Sequence, residues 1–337
     1  MTKFYPIVYL FLLLAALSMG CDKEKVLPDI DETPFVPNLP AGFPDVVSPP
    51  DNQLTQARVA LGKKLFYDPV LSVDSTVACV SCHKQALAFA DEGAVSKGVK
   101  GRLGFRNSPT LANVAYLPLL MKDGGAETLE LQVLTPIADH AEMDFTIAGA
   151  AKRLQNSSTY IQMSYKAYNQ APSPFVITRA LAAFQRTILS GNTPADKPET
   201  LTPQQQNGKQ LFFGKANCAQ CHNGFNYTNN GFANNGLYEM YADSGRYRIT
   251  QKPADMGVFR IPSLRNVTIT PPYMYNGSLN TLAQVVEHYN TGGKPHPNKS
   301  PIIQPLGLSE QEKYNLLQFL QALTDSSLLN NPTFKPD

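Results

Sequence analysis

Apolar residues recur at helical spacing through much of the chain. Ile177, Ala180, Leu181, Phe184 and Ile188 share one face of a 3.6-residue repeat. Ser173 followed by Pro174 supplies the start of that helix, because a hydroxyl can cap the first free N–H groups and proline has none to lose. Near the far end, Ser309 and Glu312 form a capping box ahead of Tyr314, Leu317, Phe319 and Leu320, the apolar positions of a second helix. No run alternates apolar and polar residues over the length of a strand, so the pattern predicts an all-α fold.

Two N-terminal stretches depart from that pattern. Ile7 to Leu17 is an unbroken apolar run of eleven residues behind Lys3. A bilayer span needs about 20 residues, so this run fits the core of an export signal. Cys21 follows Leu17-Ser18-Met19-Gly20, which resembles a lipoprotein cleavage box except that Ser18 stands where an aliphatic residue is usual. Residues 1–20 therefore read as a signal peptide with Cys21 as the lipid-modified residue, and simple cleavage near Gly20 is the alternative. From Val26 to Pro50 there are seven prolines and no apolar periodicity, so 21–50 reads as an extended tether. The mature chain is expected in the periplasm, lipid-anchored to a membrane.

The remaining length is enough for two cores, and the sequence repeats itself. Gly62-Lys63-Lys64-Leu65-Phe66 returns as Gly208-Lys209-Gln210-Leu211-Phe212. Pro109-Thr110-Leu111 with Asn113-Val114 returns as Pro262-Ser263-Leu264 with Asn266-Val267. Asp123-Gly124 followed by Thr128-Leu129 returns as Asn276-Gly277 followed by Thr281-Leu282. Matched blocks in fixed order argue for a duplicated domain, with boundaries at 51–192 and 200–326 and a linker over Ser190 to Glu199.

Charge adds little. A formal net charge of +2 implies neither nucleic acid nor an anionic membrane surface as a partner. Cysteine usage says much more. Of five cysteines, four sit in Cys79-Val80-Ser81-Cys82-His83 and Cys218-Ala219-Gln220-Cys221-His222. Cys-x-x-Cys-His is the attachment signature of c-type haem, in which two thiols form thioethers and the adjacent imidazole ligates the iron. A zinc ribbon would bring its two cysteine pairs together within about 15–20 residues and has no use for either histidine. Each domain is thus a cytochrome c-like unit enclosing one covalent haem c, with His83 and His222 as iron ligands.

The repeat is most informative where it breaks, because Tyr289 aligns with Pro136. A phenol can ligate iron and proline cannot. The expectation is one closed haem for electron transfer and one open haem for chemistry.

Several further blocks give the chain its resemblance to the bacterial di-haem cytochrome c peroxidases, and within them to the MauG-like branch. They are Arg106-Asn107-Ser108-Pro109-Thr110-Leu111, Thr135-Pro136-Ile137 with Glu142-Met143, Pro262-Ser263-Leu264-Arg265-Asn266-Val267, Pro272-Tyr273-Met274-Tyr275-Asn276-Gly277 and His288-Tyr289-Asn290. The resemblance implies that peroxide reacts at the N-terminal haem and that the C-terminal haem relays electrons. It places Gln132, Pro136 and Glu142 in the peroxidatic pocket, where Glu142 would move a proton from peroxide to the departing oxygen. It also implies calcium between the domains, held through Asn107, Thr270 and Pro272.

Departures from the family matter equally. Many members have a histidine about sixteen residues after the first haem motif that blocks the N-terminal iron. Here that position is Val99, so no reductive activation is expected. His140 is a pocket acid–base partner, a conditional iron ligand or a loop residue. The distal ligand of the second haem is Tyr289, with Met274, His288 or an open site as rivals. MauG-like proteins pass oxidising equivalents through tryptophan, but this chain has none, and its inter-haem position is Lys122.

The leading function is reduction of hydrogen peroxide to water with electrons from a small cytochrome c or cupredoxin. MauG-like oxidation of a protein or other substrate through a high-valent di-haem state is the alternative, and a non-catalytic di-haem electron carrier is the third reading. A homodimer is compatible with each.

Overall fold

The computed structural model describes residues 27–336. Their longer helices are α1 (Gln56–Tyr67), α2 (Ile147–Leu154), α3 (Ser158–Tyr168), α4 (Pro174–Arg186), α5 (Pro203–Phe213), α6 (Leu282–Asn290) and α7 (Glu310–Gln321). Two-residue strands, β1 (Phe232–Ala233) and β2 (Phe259–Arg260), form one antiparallel pair. The caps are those the sequence announces. Ser173 accepts from the Val176 N–H with Pro174 in the first turn. Ser309 and Glu312 bond reciprocally.

Each half is built on one helix crossing, α1 on α4 and α5 on α7. A glycine sits at each: a Cβ on Gly62 would run into the Ala180 carbonyl, and one on Gly208 into the Asn315 carbonyl. Close approach lets Phe66 meet Phe184 with centroids 5.2 Å apart, and Phe212 meet Phe319 at the same 5.2 Å. The repeated Gly-Lys-x-Leu-Phe blocks are these crossings. All of Ile177, Ala180, Leu181, Phe184 and Ile188 are buried. On α7 the buried face is Leu316, Phe319 and Leu320, continued by Leu323, whereas Tyr314 is 50% exposed. Tyr314 lies about 200° from Leu316 around the helix, so it belongs to the opposite face.

The second repeated block closes each half in the same way. Asn113 and Asn266 both adopt left-handed backbone, with φ of 61° and 62°. Asn113 exchanges side-chain bonds with the Ser190 backbone, 2.8 Å from its N–H and 2.7 Å to its carbonyl. Asn266 accepts from the Asp325 N–H at 2.8 Å and donates to Ser190 Oγ at 2.9 Å. Asp325 in turn accepts from Ser190 Oγ and the Gly191 N–H, each at 3.1 Å. Ser190 is fully buried, so the start of the linker is a seam and not a loose hinge.

Both termini of the described chain lie on this body. Leu328 and Phe334 enter the first core, where Phe334 meets Phe89 edge-on at 5.8 Å. The proline-rich segment, expected to be a tether, does not stand free over its described residues. Asp31 N–H donates to the Lys166 carbonyl, Phe35 N–H to that of Leu54, and Phe43 packs against Phe225 at 4.7 Å. The export signal and Cys21 lie outside the described residues. Among the described residues no helix is long and apolar enough to cross a membrane.

Candidate active site

Both Cys-x-x-Cys-His runs adopt a tight helical turn, with His83 N–H and His222 N–H each bonded to the carbonyl of its first cysteine. Such a turn puts two thiols and an imidazole on one side of a short segment. None of the four cysteines is in a disulfide. Each imidazole is oriented through Nδ1: His83 to the Phe89 carbonyl at 2.9 Å, and His222 to the Tyr227 carbonyl at 3.2 Å. Phe89 and Tyr227 both have positive φ, which turns those carbonyls toward the rings. Nδ1 is thereby the donor and Nε2 is left available to a metal. Burial holds the His83 pKa below the usual imidazole range and pushes His222 down to about 4. Both rings are therefore neutral, as a ligand must be.

On the N-terminal side, Leu134–Ala138 forms a short helix that ends in a turn made by Asp139, whose carboxylate accepts from the Ala141 N–H at 2.7 Å. Glu142 N–H bonds the Asp139 carbonyl and Met143 N–H the Pro136 carbonyl, so the turn folds Glu142 back beside Pro136. The Glu142 carboxyl has no hydrogen-bond partner among the described residues. Burial, then the Asp139 charge, pushes its pKa up to about 7. It lies close enough to Cys79 and Cys82 for its charge to act on both thiols. Gln132 is the last residue of another short helix, Leu129–Gln132, and its amide makes only a long 3.9 Å contact with Met121 Sδ. Val99 is fully buried, with its N–H on the Glu142 carbonyl at 2.8 Å. His140 lies on the loop and points to solvent. Its side chain is 77% exposed and pairs with Asp144 at 3.1 Å.

The C-terminal site opens on a cavity of about 330 Å³ lined by Cys218, Cys221, His222, Met274 and Tyr289. Glu142, Gln132 and Pro136 do not border it. Burial pushes the Tyr289 phenol up to about 12, against the pull of a hydrogen bond from the Asn235 side chain. Asn235 touches every rival ligand, because its Nδ2 also reaches Met274 Sδ at 3.2 Å and its carbonyl accepts from His288 Nε2 at 3.0 Å. His288 is thus engaged outside the cavity, while Tyr289 and Met274 line it. No sequence signal singled out Asn235. Asn107, Thr270 and Pro272 also border this cavity.

Two cations line the same cavity without a carboxylate partner among the described residues. Burial, then the nearby Arg260 and Arg106, pulls Lys122 down to about 7, and burial pulls Arg260 down to about 10. Unpaired buried cations are costly. A cavity with two thiols, a neutral oriented imidazole and two basic side chains that lack a carboxylate fits a porphyrin carrying two propionates, whose charge would favour the protonated lysine. Arg106 is not in that position, since it spans the domains in a bidentate pair with Asp243 at 2.6 and 2.8 Å and also reaches Asp123 at 2.7 Å.

The helix crossings, the paired histidine turns and this cavity define a di-haem c-type cytochrome. Residues 56–200 match the di-haem cytochrome c peroxidase family, and residues 205–324 match the cytochrome c family. Cytochrome-c peroxidase IdrP1 of Denitromonas iodatirespirans is 36% identical, over 84% of this chain and 85% of that protein. Methylamine utilization protein MauG of Methylorubrum extorquens is 34% identical, over 82% of this chain and 81% of its own length. The crystal structure of a MauG-like protein associated with microbial copper homeostasis superposes with a TM-score of 0.84 at 34% identity, covering 88% of this chain and 98% of that one. The chain belongs to the di-haem cytochrome c peroxidase family and is an oxidoreductase of that class. The family carries two haems c.

Proposed function

We propose that this chain reduces hydrogen peroxide to water at its N-terminal site, using electrons from a small periplasmic cytochrome c or cupredoxin relayed through its C-terminal site. The observation that supports this most is the contrast between an unpartnered carboxyl poised near neutrality in one site and a cavity-lining, amide-held phenol in the other. With a pKa of about 7, Glu142 is present as both acid and base at neutral pH. It can accept a proton from peroxide and return it to the departing oxygen, which favours heterolytic O–O cleavage. Gln132 supplies an amide that can hold the peroxide or the Glu142 carboxyl, and Pro136 offers no group able to ligate iron. Haem c, when bound through Cys79 and Cys82 or Cys218 and Cys221, supplies the redox-active iron.

In the C-terminal site Tyr289 is the proposed distal ligand, positioned by Asn235. Tyrosine suits an iron that must tolerate higher oxidation states. Asn107 with the carbonyls of Thr270 and Pro272 is the proposed calcium site between the domains. Attachment through a lipidated Cys21 would keep the enzyme at a membrane facing its donor. An electron paramagnetic resonance spectrum of the resting ferric protein, taken before and after peroxide, tests the division of labour. It should contain one high-spin and one low-spin centre, and the high-spin signal should respond to peroxide first. Failure to consume peroxide with reduced cytochrome c as donor would overturn the reading.

A further inference from the structure

Beside the second site lies a row of aromatic rings that no step above uses. Tyr275 lines the cavity containing His222 and Tyr289, and it stacks on Phe259 with centroids 4.3 Å apart and planes at 8°. Tyr241 lies 6.0 Å from Tyr275. Tyr238 follows, 5.7 Å from Tyr241 and 6.4 Å from Tyr275. These are the separations of rings in direct contact. The row then reaches the surface, where Glu239 is exposed and Met240 is 88% exposed.

Two of the three hydroxyls are tied down. Tyr241 accepts from the Leu237 N–H at 2.9 Å and donates to Asn234 Oδ1 at 3.2 Å. The Tyr238 hydroxyl accepts from Asn276 Nδ2 at 3.0 Å. Packing alone would be served as well by phenylalanine, which brings no hydroxyl to satisfy. What phenylalanine lacks is a ring that loses an electron readily. The chain has no tryptophan, and the cation on the inter-domain wall of the cavity, Lys122, cannot be oxidised.

We propose that Tyr275, Tyr241 and Tyr238 form a relay through which small phenolic reductants at the Tyr238–Met240 surface deliver electrons to the C-terminal site. This rests on the peroxidase reading. Reduction of one hydrogen peroxide to two waters takes two electrons and two protons. Each electron leaves the Tyr238 phenol, whose O–H proton passes to solvent. Tyr241 and Tyr275 each give an electron inward and regain one from outside. While oxidised, Tyr241 shares its O–H proton with Asn234 Oδ1 and Tyr275 releases its own to solvent, and each takes the proton back with the replacement electron. A phenol then returns one electron and one proton to Tyr238 and becomes a phenoxyl radical. Two such steps balance as one peroxide and two phenols giving two waters and two phenoxyl radicals.

The test uses the holoprotein with one equivalent of peroxide and no donor, frozen for electron paramagnetic resonance, with ring-deuterated tyrosine to assign the signal. A tyrosyl radical is expected, and peptide mapping should place oxidation products on Tyr238. Tyr275→Phe should lower the radical yield, and the rate of 2,6-dimethoxyphenol oxidation, by about tenfold or more, equivalent to roughly 1.4 kcal/mol of barrier. Haem absorbance checks that each variant folds, and Tyr314→Phe, at an exposed tyrosine outside the row, should change neither readout. Unchanged radical yield in Tyr275→Phe, or oxidation mapped to tyrosines outside the row, overturns the relay. If peroxide is reduced with cytochrome c as donor but no tyrosyl signal forms, the relay alone fails. If peroxide is not consumed at all, both readings fail.

Discussion

The two halves of this chain use the same parts to hold a haem and different parts to decide what it can do. Each has a glycine crossing, an asparagine closure in left-handed backbone, and a histidine oriented by the carbonyl of a positive-φ aromatic residue. They diverge between the histidine and the asparagine closure. The stretch from His222 to Pro262 is longer than that from His83 to Pro109, and it carries Asn235, Tyr238, Tyr241 and Asp243. Asn235 steadies the Tyr289 phenol, and Asp243 locks the insertion to Arg106 of the other domain. The first half has no such insertion. There a turn leaves the Glu142 carboxyl without a partner among the described residues, which is the group proposed to move the proton. The two cradles match part for part, and the halves differ in their loops.

The sharpest way to break that comparison is to remove one histidine at a time. His83→Gly should abolish reaction with peroxide, followed by haem absorbance in stopped flow. His222→Gly should leave the first reaction with peroxide intact and abolish turnover with reduced cytochrome c. Full steady-state turnover in the His222 variant would show that the halves do not divide the work.

Glu142→Gln should slow the reaction with peroxide by about 10²–10⁴-fold, the usual contribution of a positioned acid–base group. Resting spectrum and haem content should be unchanged. In the wild type the carboxylate form grows as pH rises through about 7, so the rate should rise over that window, and the variant's rate should not. Stability has the opposite sign. A carboxyl whose folded pKa is raised contributes stability below the ordinary carboxylate range that is lost as pH climbs through about 7. Denaturant midpoints measured across that range should fall in the wild type and stay flatter in Glu142→Gln.

Tyr289→Phe keeps the ring and deletes the phenol oxygen. It should convert the low-spin ferric centre to high spin and open it to small ligands, with no change at the other centre. A surviving low-spin signal would make Met274 the ligand, since it shares the cavity and the Asn235 amide.

The parts legible in the sequence were those with local rules. Caps, glycine crossings and haem motifs are written in short contiguous runs, and the repeat made each visible twice. Tyr314 was misplaced because it sits near apolar neighbours in sequence but on the far side of the helix. The proline run suggests a tether, but the packing of this segment through Phe35 and Phe43 depends on partners distant in sequence. Asn235 stayed invisible for the same reason. Its importance comes from meeting Tyr289, Met274 and Tyr241 in space, and no composition rule marks an asparagine for that.

The smallest expected effect concerns the shared frame. Replacing Gly62 or Gly208 with alanine puts a methyl group into a backbone carbonyl of the crossing helix, which a side-chain rotation cannot relieve. Alanine favours a helix interior over glycine by about 1 kcal/mol, which works in the variant's favour. Overpacking a tight crossing costs about 1–3 kcal/mol and should outweigh it. The net loss should be similar in the two halves, because the obstructing group is a main-chain carbonyl in both. Thermal unfolding of each variant, followed by haem absorbance, measures it. A loss confined to Gly62→Ala would mean that the second crossing yields more easily and that the two cradles are equivalent in outline only.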